Sequence, residues 1–99
     1  WAYGEREQVD DNALHRIISL TTDHDDQLVR EAGAAALGAI GDERGVSAIL
    51  SACEDKPAVR RRAVLALAPF SGPEIEAAID TALTDRDWQV RQSAEDLRR

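Results

Sequence analysis

The residues able to do chemistry in this chain are few and do not gather. Cys53 is the one thiol, His15 and His24 are the only imidazoles, and Asp23, His24, Asp25 and Asp26 form the densest group of potential ligands. A nucleophilic cysteine needs a base within hydrogen-bond reach and polar surroundings for its thiolate. Cys53 instead falls on the apolar stripe of a helical pattern, where a thiol behaves as a small hydrophobe. His15 and His24 stand nine residues apart, off any single helical face, with no further His or Cys to complete a zinc set. The acidic cluster lacks the turn glycine and the distal bidentate Glu of a calcium loop. Aspartates just ahead of a helix cap free N–H groups and favour the positive end of its dipole. Gly33, Gly38, Gly41 and Gly45 fit no phosphate-binding spacing and follow no strand; close helix packing and helix termination explain them. No catalytic, metal or cofactor site is expected, and the chain reads as a non-enzyme.

Charge narrows the partners. Nineteen acidic residues against twelve basic ones leave a net charge of −7 over 99 residues. Such a body repels nucleic-acid phosphates and anionic lipid headgroups, so neither nucleic acid nor membrane is expected. A single cysteine excludes an internal disulfide and fits a reducing, cytoplasmic setting. No apolar run approaches the ~20 residues of a membrane helix. The chain opens on Trp1 and contains no Met, which suggests a segment of a longer protein or its ordered part. One charged run stands out, Arg60-Arg61-Arg62. With Arg30 and Arg91 it makes a local basic strip, either plain solvated surface or a recogniser of acidic peptide, since arginine pairs carboxylates bidentately.

The elements that would position these residues recur. Val-Arg pairs open helical patterns at 29-30, 59-60 and 90-91, spaced 30 and then 31 residues apart. A period of 20–50 residues marks a stack of supersecondary units rather than one globular core. Val59, Ala63, Ala66, Leu67 and Phe70 form a single helical stripe, and Val29, Gly33, Ala36, Leu37 and Ile40 repeat it. A second pattern, Val46, Ile49, Leu50 and Cys53, has counterparts at Leu14, Ile17, Ile18, Thr21 and at Ile75, Ala78, Ile79, Ala82. Six helices follow in three hairpins. First helices are expected over 11–22, 43–54 and 73–84, second helices over 26–40, 57–70 and 87–98. The hairpins cover 11–42, 43–72 and 73–99, with residues 1–9 an N-terminal extension or the remnant of a preceding unit. Gly41-Asp42 and Ser71-Gly72-Pro73 separate the units.

The strings at 29–42 (VREAGAAALGAIGD) and 59–68 (VRRRAVLALA) resemble HEAT repeats, in particular the short bacterial and archaeal variety first associated with phycobilin lyases. The resemblance implies an all-α, right-handed α-α superhelix, a solenoid of three HEAT-like hairpins with second helices on the concave side. It also implies a ladder between neighbouring units, made by a turn Asp and an early Arg of the second helix. By position these are Asp23, Asp55 and Asp85 with Arg30, Arg60 and Arg91, with Asp25 the alternative to Asp23 in the first pair. Arrays of this kind usually hold another macromolecule; a minority belong to enzymes, which leaves a bilin lyase component or accessory domain as the alternative.

One hairpin cannot hide its own apolar stripe, so each needs a neighbour. The last unit fades: Arg98 stands where the second has Leu67, and Glu76 where it has Val46, as expected of a terminal cap or of a segment cut from within a longer solenoid. Off the stripe, the second helices carry Ala34 and Ala35, then Val64 and Leu65, then Glu95 and Asp96. Ala35 and Leu65, flanked by Arg61, Arg62 and Gln92, are therefore expected to form a shallow groove for a protein or peptide, apolar at its centre and charged at its rim. Trp88 is expected to pack against the end of the core.

Overall fold

The computed structural model describes residues 10–99; the expected N-terminal extension, 1–9, lies outside them. Six α-helices run through this span, and among the described residues there is no strand. Their ends are set by the local chemistry the sequence announces. The Asp10 carboxylate accepts from the N–H of Asn12 at 2.7 Å and starts α1 (Asp11–Asp23). Asp26 does the same for α2 (Gln27–Ile40), accepting from Leu28 N–H at 2.9 Å. Gly41 ends α2 at φ +70°, a conformation that favours glycine, with its N–H on the Leu37 carbonyl. Asp42 opens a short 3₁₀ turn (Glu43–Gly45) that runs into α3 (Val46–Ala52). Prolines begin α4 (Pro57–Ala66) and α5 (Pro73–Leu83), and Asp87 caps α6 (Trp88–Arg98).

Two helices are shorter than expected: the one expected over 43–54 is α-helical only from Val46 to Ala52, after the 3₁₀ turn. The helix expected over 57–70 stops at Ala66. Pro69 has no N–H to continue the hydrogen-bond ladder, and the chain tightens instead, Ala68 N–H bonding the Leu65 carbonyl at 3.2 Å. Phe70 still reaches the core, though from a turn rather than a helix.

The helices pair as hairpins, α1 with α2, α3 with α4 and α5 with α6, and the second helices pack side by side in the order α2, α4, α6. The fold is a helical repeat solenoid. Its core runs continuously through the units: Leu14, Leu37, Ile49, Val59, Leu67 and Val90 are essentially without exposure. Close approach between α2 and α4 depends on Gly38, where a Cβ would fall 2.7 Å from the Ala66 Cα.

Two expectations about side-chain placement fail. Ala34 and Val64 are fully buried rather than off the stripe. A second helix thus buries a flank as well as its inner stripe, and Val64 lines the cleft shared with the third unit. Trp88 does not pack against the core end but stands 63% exposed. In the third unit Arg98, in the slot of Leu67, turns to α5 and pairs with Asp80 and, at 2.9 Å, with Glu76. Charge replaces apolar contact there.

Candidate functional site

Each second helix presents its early arginine at the turn edge of the stack, and for Arg30 and Arg60 the carboxylate it meets belongs to the next hairpin. Arg30 donates through Nε to one Asp55 oxygen at 2.8 Å and through Nη2 to the other at 3.1 Å. Arg60 holds Asp85 in the same way, at 2.9 Å through both nitrogens. The remaining nitrogen, Nη1, binds the arginine's own turn: Arg30 to the His24 carbonyl, Arg60 to the Asp55 carbonyl, both at 2.8 Å. Hydrogen bonding from Arg30 holds the Asp55 carboxyl below the usual carboxylate range, and Arg60 does the same to Asp85; partial burial opposes both shifts. Asp23 takes no such place. It ends α1, exposed, and the Asp26 N–H that corresponds to the Asp87 N–H on Asp85 goes instead to His24 Nδ1, at 3.0 Å.

The second-helix surface carries the other candidates. Leu65 is 42% exposed, and Ala35, thirty residues earlier at the same helical position, is half-buried. Arg61 lies one turn before Leu65, half-buried, and Arg62 beside it is exposed. Neither is paired with a carboxylate among the described residues. Gln92 is exposed and donates to Asp96 at 3.2 Å.

The family model for HEAT repeats matches residues 2–68, about two-thirds of the chain. The chain belongs to the HEAT repeat family. HEAT repeats generally mediate protein interactions. The match spans the first two described hairpins of the HEAT array; the third lies beyond it and joins the same ladder through Asp85. No curated protein matches the chain.

Two features of this HEAT array escape a reading by residue type. Glu31 shares the repeat position of Arg61 and Gln92, yet it is only 8% exposed and accepts from Gln27 Nε2 at 3.2 Å. A thirty-residue offset would have placed it in the same column. The second is an apolar groove of about 310 Å³ along α1 and α2, lined by Ile17, Leu20, Leu28, Ala32 and Ala36. Ala36, in that lining, is the repeat counterpart of Ala66, onto which Gly38 packs.

On the first-helix side α3 and α5 stand apart, and a cleft of about 250 Å³ opens between them. Cys53, Glu54 and Glu74 contribute to its lining. Burial, reinforced by the negative charge of Glu54, pushes the Cys53 thiol up to about 12. At neutral pH the sulfur is a protonated, weakly nucleophilic thiol. Among the described residues no group of three His, Cys, Asp or Glu is arranged to hold a metal ion. No helix there is long and apolar enough to cross a membrane.

Proposed function

We propose that the chain is a non-catalytic scaffold that holds a protein or peptide partner against its second-helix face, around Ala35, Arg61, Arg62, Leu65 and Gln92. The observation that carries this reading is the pair Arg61 and Leu65 on the central helix. An exposed leucine there adjoins a guanidinium with no carboxylate of its own among the described residues. Exposed apolar surface rimmed by arginine suits a peptide that carries acidic and apolar residues together. The net charge of −7 weighs against nucleic acid and anionic membrane as partners, and a reducing compartment such as the cytoplasm fits the lone cysteine.

The bilin lyase alternative requires positive groups to meet tetrapyrrole propionates. The cleft between α3 and α5 offers Glu54 and Glu74 instead, which repel them. Absorbance of the chain mixed with excess bilin tests that alternative; a spectral shift that saturates would revive it.

Peptide display against the full chain tests the scaffold reading. Selected binders should lose affinity for Arg61→Glu and for Leu65→Asp while keeping it for Thr81→Arg on the exposed side of α5. Binders indifferent to both second-helix changes would overturn it.

A further inference from the structure

The rung at Arg91 is open among the described residues. Arg91 makes half of the arrangement that Arg30 and Arg60 complete. Its Nη1 lies 2.7 Å from the Asp85 carbonyl, as theirs lie against their own turns. The other half is vacant: among the described residues no carboxylate comes within ion-pair distance of Arg91, and Glu95, one turn further along α6, does not reach it. The side chain is half-buried and anchored at one nitrogen. A planar guanidinium fixed at Nη1 keeps Nε and Nη2 as a preset fork, the two donors with which Arg30 and Arg60 each take one carboxylate.

The outer face of α6 suits a particular kind of occupant. A stacked hairpin needs an apolar flank, and the slot of buried Val64 is held here by exposed Glu95, that of Leu67 by Arg98, paired to α5. What the face does offer is Trp88, 63% exposed and three residues before Arg91, a spacing that puts the two on one side of the helix. Tryptophan and arginine are the residues most enriched where binding energy concentrates.

We propose that Arg91 and Trp88 form a second docking point, separate from the Arg61–Leu65 face, for an acidic peptide segment of a partner protein. An Asp or Glu carboxylate takes the Nε and Nη2 fork, and an adjacent apolar side chain lies on the indole.

The test is side-chain NMR on the ¹⁵N-labelled full chain carrying Trp1→Phe, so that Trp88 is the only indole. The probe is the capped hexapeptide Ala-Leu-Asp-Lys-Pro-Ala, whose last four residues repeat the 55–58 turn that fills the Arg30 fork. The Arg91 Nε–H and Trp88 indole N–H signals should shift together and saturate. Affinity should fall roughly tenfold when the peptide Asp becomes Asn, and likewise in Arg91→Lys, which keeps the charge and loses the fork. Trp88→Ala should weaken binding while leaving the Arg91 response to the Asp peptide in place. The proposal fails if Arg91 moves no more than Arg86 at the same peptide concentration, if the Asn peptide binds equally well, or if Arg91→Lys retains full affinity.

Discussion

Arg60 reaches twenty-five residues forward to Asp85 and, with the same guanidinium, back to the carbonyl of Asp55. One side chain thus joins two hairpins and fixes the turn it springs from. Lysine cannot occupy all three acceptors at once, because its ammonium is a point rather than a fork. Arg60→Lys should therefore lower stability by roughly 1–3 kcal/mol. Urea unfolding followed by circular dichroism measures this; a change within about 0.3 kcal/mol would mean the ladder contributes little.

Acid should loosen the stack through the same contacts. Asp55 and Asp85 titrate below the ordinary aspartate value when folded. Their stabilisation is then complete above the unfolded pKa, near ~3.9, and is lost as pH falls through the lower folded value. Asp42, held at about 2 by side-chain and backbone hydrogen bonds from Arg44, acts in the same direction. Thermal midpoints should drop below pH ~4, and the double variant Asp55→Asn/Asp85→Asn should show a flatter acid limb. An unchanged limb would place the acid sensitivity elsewhere.

Leu67 lies in the continuous core with no exposure. Leu67→Ala should cost roughly 2–5 kcal/mol, from lost transfer energy and the cavity left behind. A denaturant melt that moves by less than about 0.5 kcal/mol would show that neighbouring side chains collapse to fill the space.

Gly38 poses a conflict between local preference and packing. Alanine is favoured over glycine in a helix interior by about 1 kcal/mol, yet its Cβ would lie 2.7 Å from both the Cα and the Cβ of Ala66. Packing should win, so Gly38→Ala destabilises. Ala66→Gly in the same chain should recover only part of the loss, since the backbone contact remains. A gain in melting temperature for Gly38→Ala alone would show that α2 and α4 can part without penalty.

Cys53 should react slowly. With its thiol pushed up to about 12, little thiolate exists near neutrality. A disulfide reagent at pH 7.5 should label the folded chain far more slowly than the urea-unfolded one. Equal rates would show that the cleft between α3 and α5 admits water freely to the sulfur.

The units were legible because each must satisfy the same packing problem, so Val29, Val59 and Val90 recur with their arginines. Capping residues announced most helix ends. Pro69 announced one too, but the apolar spacing that carries Phe70 masked it. The flank burial of Ala34 and Val64 was hidden for a different reason. A single-helix stripe describes one line of contact, whereas a helix stacked between neighbours buries more than one side. Trp88 misled because size alone suggests a core. The ladder's partners were ambiguous as well: intervals of 7, 5 and 6 within units say nothing of carboxylates twenty-five residues ahead.

The two junctions of the array are tied unequally. Between the first and second hairpins, Arg30–Asp55 fastens one edge and Arg44, reaching Asp11, fastens the other. Between the second and third, the ion pair among the described residues is Arg60–Asp85, at the turn edge, and the cleft between α3 and α5 runs from Asp85 itself to Glu74 at the start of α5. The final hairpin is thus mounted like a door on one jamb. Bending imposed on the array should therefore act first at that joint, where one ion pair stands in place of two, and would alter the reach from Leu65 to Trp88.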